Sequence, residues 1–274
     1  MKNPDFSNIK LIVSDMDGTL LNSDHEVSPD FFDLVRKLKT RGIRFAVASG
    51  RQYYSLVERM EPVKEDLIFI AENGAIVVEQ GEEKLLVPME GDFVHRIIRE
   101  VKGLKGEKHL VLCGRKQAYI ENTDPEFMEP FLNHYEKYEV VDDLLEVKDD
   151  VFLKVTICDL SGAEENSLPF VSHFKKEAQV KLAGKIWVDF TAKSAQKGNA
   201  VKRVQELYNI KKEETMSFGD YLNDVELFAQ SGISYAVANA HEEVKAAAAF
   251  HTASNDDDGV EIILRELLKS EKVR

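Results

Sequence analysis

Residues 9–21 read Ile-Lys-Leu-Ile-Val-Ser-Asp-Met-Asp-Gly-Thr-Leu-Leu. The run Ile9–Ser14 is mostly apolar, as expected of a strand covered on both faces of a parallel sheet, and it stops on Asp15, Asp17 and Gly18. Two residues apart, the carboxylates of Asp15 and Asp17 face one side if the strand continues, and Gly18 lets the backbone turn sharply behind them. Carboxylates forced together need a cation. Taken alone, Asp-x-Asp-Gly also describes a turn whose acids cap a helix, so the neighbouring segments have to decide between site and turn.

Outward from this stretch, Val27–Leu38 carries apolar residues at near-helical spacing behind Ser28-Pro29, a helix entry. A second apolar run, Ile43–Ala48, ends in Ser49-Gly50-Arg51, and a third, Leu67–Ala71, ends in Glu72-Asn73-Gly74-Ala75. Buried runs alternating with helices predict an α/β fold, a Rossmann-like parallel sheet with helices on both faces.

The pattern then changes. Val151, Leu153, Val155 and Ile157, and later Ile186, Val188 and Phe190, recur at the strand period of two, which predicts half-buried antiparallel strands. Phe93, Val94, Ile97, Ile98 and Val101 form one helical stripe, and Phe127, Met128, Phe131, Leu132 and Tyr135 another. After them the first pattern returns: a helix over Gln196–Leu207, a strand over Thr215–Phe218 ending in Gly219-Asp220-Tyr221-Leu222-Asn223-Asp224, and a further alternation through Ile233–Val237. The reading is a Rossmann-like core of residues 1–82 and 188–274, interrupted by an inserted α+β cap of residues 83–187. Asp15, Ser49 and Asp220 each follow a predicted strand at its carboxyl end, where parallel α/β sheets collect their ligand chemistry.

Composition narrows the partners. The chain has 274 residues and a formal net charge of −13, with no Lys/Arg stripe, which disfavours nucleic acid but allows a small anion met by cations gathered at one point. Cys113 and Cys158 are the only cysteines, too few for a disulfide framework and suited to a reducing compartment. No apolar run approaches a membrane span, and the N-terminal residues lack the order of a signal peptide; a cytoplasmic protein with no membrane partner is expected. Oligomeric state is not legible.

Three further elements bear on the acid pair. Ser49-Gly50-Arg51 offers a hydroxyl, exposed backbone N–H groups and a guanidinium to an anion, though such triplets are common in loops. Lys197-Gly198 brings a cation to a helix start, where it can neutralise phosphoryl oxygens or hold a nucleophile ionised; most lysines are simply solvated. Asp220, Asn223 and Asp224 place oxygen-bearing side chains within five residues, hard ligands of the kind Mg²⁺ takes. Together and in order, they are poorly explained by chance.

DMDGTLL (15–21), ASGR (48–51), the Lys197-Gly198 pair and GDYLND (219–224) resemble the four sequence elements of the haloacid dehalogenase-like phosphatases. The match spans the whole core. Asn73-Gly74, Ala238-Asn239-Ala240 and SNDDDGV (254–260) are similar to the Cof-type branch, whose large cap, of the C2B type, sits between the second and third elements. The resemblance implies Asp15 as the nucleophile that becomes an aspartyl phosphate, and Asp17 as general acid for the leaving alcohol and then base for water. It implies Met16, Ser49, Gly50, Lys197 and Asn223 around the phosphoryl group, and Mg²⁺ on the Asp15 carboxylate, the Asp17 backbone carbonyl and Asp220. Arg51 and Asp224 would meet substrate or support the metal from outside. One departure is Val237, where this branch would carry Met; it leaves the subfamily open.

Other features have plainer readings. Thr19 closes the loop by a hydroxyl bond to backbone, SNDDDG is a helix entry, Trp187 packs on the cap sheet, and the seven scattered histidines show no ligand pair at helical spacing. Arg115, Lys116, Lys154, Lys181 and Lys185 read as solvated strand ends of the cap, although a cap that closes over a site is where specificity belongs. Three functions stay open: hydrolysis of a small phosphomonoester such as a sugar phosphate or a phosphorylated cofactor or precursor, a phosphomutase or phosphotransferase on the same fold, and a non-catalytic phosphate-binding module.

Overall fold

The computed structural model describes residues 4–270. Its first five strands are β1 (Leu11–Asp15), β2 (Arg44–Ala48), β3 (Leu67–Ala71), β4 (Ile76–Glu79) and β5 (Glu82–Leu86). Six follow in the middle of the chain: β6 (His109–Gly114), β7 (Ala118–Ile120), β8 (Tyr138–Val140), β9 (Phe152–Cys158), β10 (Ala178–Leu182) and β11 (Trp187–Ala192). The last three are β12 (Thr215–Gly219), β13 (Ile233–Ala236) and β14 (Phe250–His251).

The large sheet runs β14-β13-β12-β1-β2-β3-β4-β5. From β14 to β3 all pairings are parallel, and β4 and β5 extend the sheet as antiparallel strands. β1 lies at the centre, with Leu11 opposite both Arg44 of β2 and Thr215 of β12. Alternation explains its two buried faces. Ile12 joins Phe45, Phe69 and Met216 against the helices Pro29–Thr40 and Gly259–Lys269, while Leu11 and Val13 join Ala46, Ile68 and Ile70 against Lys197–Tyr208. Chain order reverses between β1 and β12, and at such a switch point the carboxyl ends of the strands leave a crevice.

The second sheet runs β10-β11-β9-β6-β7-β8, antiparallel except for the parallel β7–β8 pair. Val155 and Ile157 of β9 pack with Val94, Ile97, Ile98 and Val101 of the helix Gly91–Lys102. On the opposite face Val111, Cys113 and Cys158 pack with Phe127, Phe131, Tyr135 and Trp187. Both cysteines are free and buried. The stripe expected over Phe127, Met128, Phe131, Leu132 and Tyr135 is narrower, because the helix Pro125–Leu132 leaves Leu132 53 % exposed.

Two strands straddle the expected limits of the insertion. Glu82–Leu86 is the edge strand of the large sheet, so that sheet continues past residue 82; Trp187–Ala192 pairs with β9 and β10, so the smaller sheet continues past residue 187. The reasons are physical. An exposed edge strand carries the polar composition of a linker (Glu82-Glu83-Lys84), and the period of two in β11 does not say which sheet receives it. Among the described residues no helix is long and apolar enough to cross a membrane.

Candidate functional site

The turn behind β1 hangs on one carbonyl. Met16 O accepts from the N–H groups of Thr19, Leu20 and Leu21 at 3.3, 2.9 and 2.8 Å, closing a tight loop that Gly18 permits with a φ of 75°. A Cβ at Gly18 would lie 2.5 Å from Asp220 Oδ2, so glycine also lets the β12 turn approach. Thr19 corrects its expected role: its hydroxyl donates not to local backbone but to Asp220 Oδ1, 2.9 Å away. It therefore ties the first element to the fourth.

Lys197 opens its helix 1 % exposed. A cation at a helix N-terminus works against the macrodipole, and here two carboxylates offset that. Its Nζ contacts Asp15 Oδ1 and donates to Asp224 Oδ1 at 2.8 Å. Gly74 helps to set that helix, because its φ is 92° and a Cβ there would meet Gln196 O at 2.5 Å.

Asp15, Asp220 and Asp224 bring carboxylate oxygens within 4.8 Å of one another. Burial, then the neighbouring Asp224 charge, pushes Asp15 well above the usual carboxylate range despite Lys197. The same causes push Asp220 up to about 6. Lys197 is pushed above its ordinary value because the two anions beside it outweigh burial. Three acids against one ammonium leave an excess of negative charge that a divalent cation would offset. The Asp17 carboxylate is outside this group, and Asp224 is inside it.

Asp17 is instead gripped by Arg51, whose Nε lies 3.0 and 2.8 Å from the two carboxylate oxygens and whose second terminal nitrogen lies 2.6 Å from Oδ1. Burial raises the Asp17 pKa, but the Arg51 hydrogen bonds and charge overcome it, and the group sits below the ordinary range. The other guanidinium nitrogen bonds the cap carbonyl Asn133 O, so Arg51 links the acid to the cap and is 3 % exposed. Beside it His134, desolvated and facing Arg51, is pushed down to about 4 and carries no charge at neutral pH.

Ser49 and Gly50 follow β2 directly, with Ser49 Oγ accepting from Arg51 N at 3.1 Å. Asn223 Nδ2 reaches Asn73 Oδ1 at 3.4 Å. Thus the pattern's residues converge at the ends of β1, β2 and β12 and at one helix start. Among the described residues one other trio of potential ligands comes together, Glu107, His109 and Asp124 on the cap, two of them exposed.

Four residues joined here carried no role in the sequence reading. Lys154 is 2 % exposed, against its expected place at a solvated strand end. Its Nζ donates to Gly50 O at 2.8 Å and pairs with Glu72 at 2.7 Å and Asp189 at 3.6 Å. Asn73 Nδ2 donates to Asp189 Oδ2 at 3.2 Å, and Asn73 N donates to Ser49 O at 3.0 Å. Glu72 and Asn73 both hold positive φ, 51° and 57°, a conformation that non-glycine residues keep only where the surroundings enforce it. The signal available was Asn73-Gly74, a pair suited to left-handed backbone. Of the other cap cations, Arg115 and Lys116 are exposed and bond Glu83 and Asp149 O, Lys181 pairs with Glu226 at 3.1 Å, and Lys185 is exposed. Gln52 completes the seam, accepting from Glu136 N and Lys137 N and donating to Lys137 O.

Residues 12–264 match the model of a family described as haloacid dehalogenase-like hydrolase. The chain is 30 % identical over 270 residues to an Escherichia coli 5-amino-6-(5-phospho-D-ribitylamino)uracil phosphatase, covering 96 % of this chain and 97 % of that one. It is 28 % identical to a Bacillus subtilis phosphatase, covering 95 % and 100 %. Among solved structures, a Streptococcus mutans protein superposes with a TM-score of 0.87 at 28 % identity, covering 96 % and 100 %.

Proposed function

Because the chain belongs to the haloacid dehalogenase-like hydrolase family, we propose that it hydrolyses a small phosphomonoester by way of a phosphoryl group carried on Asp15. The observation that carries this is the placement of the Asp15 carboxylate at the end of the central strand, paired to a buried lysine and flanked by Asp220 and Asp224. Those three acids fit Mg²⁺: hard oxygen donors, close together, in excess over the one ammonium. When bound, the ion neutralises charge and polarises the phosphoryl oxygens. The carboxylates of Asp15, Asp220 and Asp224 would hold it, together with the Asp17 backbone carbonyl.

The remaining work falls to the chain's own groups. Asp15 attacks phosphorus as the bond to the leaving oxygen breaks. Lys197, the Ser49 hydroxyl, the Met16 and Gly50 backbone and Asn223 bind the phosphoryl oxygens and offset anion–anion repulsion. Asp17 gives a proton to the leaving oxygen, then takes one from the water that releases phosphate. The Arg51 pair favours the ionised form that accepts a proton, so donation requires Asp17 to leave the guanidinium and take up a proton from water before passing it to the leaving oxygen. Asn133 and His134 place the cap where the leaving group would stand. Unpaired buried cysteines suit a cytoplasmic location.

For substrate, the Escherichia coli relative's name and the polar seam of the cap favour a phosphorylated polyol or cofactor precursor. The test is turnover of p-nitrophenyl phosphate with Mg²⁺, followed by kcat/KM across phosphorylated metabolites including 5-amino-6-(5-phospho-D-ribitylamino)uracil. Activity lost with EDTA and restored by Mg²⁺ supports the reading; no turnover of any monoester with Mg²⁺ sinks it.

Protons and metal compete for the same carboxylates. Asp220 stands at about 6, above its unfolded value, so the folded metal-free protein takes up a proton more readily than the unfolded chain. The resulting loss of stability is present above about 6 and is relieved as pH falls through that value. Metal binding reverses the preference. The Mg²⁺ concentration for half-maximal activity is therefore expected to rise by about tenfold per pH unit below that point, measured by metal titration from pH 7.5 to 5. A flat dependence would show that Asp220 is not a ligand.

A further inference from the structure

Two segments outside the catalytic groups converge on the loop that carries Asp17. Asn239, just past β13, donates from Nδ2 to Gly18 O at 2.7 Å. Asn255, past β14, donates from Nδ2 to Leu21 O at 2.8 Å, and its own N–H donates to Asn239 Oδ1 at 3.1 Å. The Asn255 backbone thus holds the Asn239 amide, while each side-chain amide holds one carbonyl of the loop. Asp256 adds a third tie, accepting from the N–H and hydroxyl of Ser23, both at 2.7 Å. The same stretch reaches the fourth element, since His241 N donates to Asp220 O at 2.8 Å.

The loop needs these ties. Within it the N–H groups of Thr19, Leu20 and Leu21 share one acceptor, Met16 O, while the carbonyls of Gly18 and Leu21 accept from the two asparagine side chains. Gly18 is also the next residue after Asp17 and the most permissive one in the turn. An amide that donates to the Gly18 carbonyl fixes the Gly18–Thr19 peptide plane and so narrows the freedom of the turn on which Asp17 stands. Among the described residues neither asparagine side chain hydrogen-bonds to Asp15, Lys197, Asp220 or Asp224.

We infer that Asn239 and Asn255 are positioning residues that hold the Gly18–Ser23 turn so that the Asp17 carboxyl meets the leaving-group oxygen. This rests on the phosphatase reading, and it concerns proton delivery rather than phosphoryl binding. kcat/KM covers only the steps through transfer to Asp15, so later attack by water does not enter it. A leaving group that needs a proton, such as the alkoxide of β-glycerophosphate, depends on Asp17 at that stage; p-nitrophenolate departs with little help.

The experiment compares Asn239→Ala and Asn255→Ala with wild type on both substrates in saturating Mg²⁺, alongside amide hydrogen exchange across residues 16–23. Expected is a fall in kcat/KM of about tenfold or more on β-glycerophosphate against less than about threefold on p-nitrophenyl phosphate, with faster exchange in that segment. Equal losses on the two substrates would mean a merely structural role and would overturn the inference, as would no loss on either. Unchanged exchange overturns the brace even if wild type proves inactive on both esters, an outcome that by itself counts against the phosphatase reading only.

Discussion

Asp15→Asn is expected to reduce turnover of p-nitrophenyl phosphate by on the order of 10⁴-fold or more while leaving a folded protein. The amide keeps the shape of the carboxylate but is a far weaker nucleophile, and the remaining groups can bind a phosphoryl oxygen without accepting the phosphoryl group. Stability should move the other way from activity. Asp15 is buried among like charges and is pushed well above its ordinary pKa by burial and by Asp224, so in the metal-free protein its ionised form is a cost. Removing that charge relieves repulsion, and thermal unfolding in EDTA should come at an equal or higher temperature than in wild type. Undiminished turnover would exclude Asp15 as the phosphoryl carrier. Lost turnover accompanied by a collapse in thermal stability would mean that the variant reports on folding and not on chemistry.

The contrast between Asp15 and Lys154 shows what was legible in the sequence. Asp15, Ser49 and Asp220 stand where apolar runs stop, and the end of a buried strand can be read from hydrophobicity alone. Their meeting at the crevice beside β1 then follows from parallel topology. Lys154 alternates with Val155 and Ile157 in the same way that a solvent-facing lysine would. Only the docking of that face of the smaller sheet against Gly50 and Glu72 buries it, and no periodicity encodes which face a second domain will cover. Thr19 illustrates the same limit, since its partner Asp220 lies 201 residues away along the chain. Glu82–Leu86 and Trp187–Ala192 were ambiguous for another reason: a polar edge strand resembles a linker, and an alternating strand fits either sheet.

The seam between the sheets also bears on how the site works. Arg51, Gln52, Glu72 and Asn73 on the core side meet Asn133, Lys137, Lys154 and Asp189 on the cap side. These contacts are polar, and a polar interface can open and reform at modest cost compared with an apolar one. Glu72 is pushed above its ordinary range by burial, only partly opposed by Lys154, so in a closed seam the lysine is what makes its burial tolerable. The groups proposed to bind phosphate and the groups that seat the cap thus share the Ser49–Arg51 backbone, with Gly50 O held by Lys154 from the cap side.

Lys197→Met is expected to damage both activity and stability, and the two losses should separate on adding metal. Lys197 is buried with its ammonium against Asp15 and Asp224. Methionine keeps most of the volume but leaves three neighbouring carboxylates with no cation among them. Breaking a buried ion pair from one side costs about 3–5 kcal/mol, which for a chain of this size lowers the unfolding midpoint by roughly 10 °C in EDTA. Part of that cost is relieved by protonation; Lys197 lowers the Asp220 pKa, so without it the acids take up protons at a higher pH than in wild type, and the deficit should shrink as pH falls. Mg²⁺ supplies the missing charge to the same oxygens and should recover much of the midpoint. It should not recover turnover, expected to stay down by about 10²–10³-fold, because the donor proposed to hold the phosphoryl oxygens is gone. Differential scanning fluorimetry with and without Mg²⁺, beside kcat on p-nitrophenyl phosphate, reads both. A variant as stable as wild type in EDTA would mean that the three acids do not repel one another as their spacing requires, and a variant whose turnover Mg²⁺ restores would reduce Lys197 to a counter-ion for Asp15 and Asp224 with no part in holding phosphate.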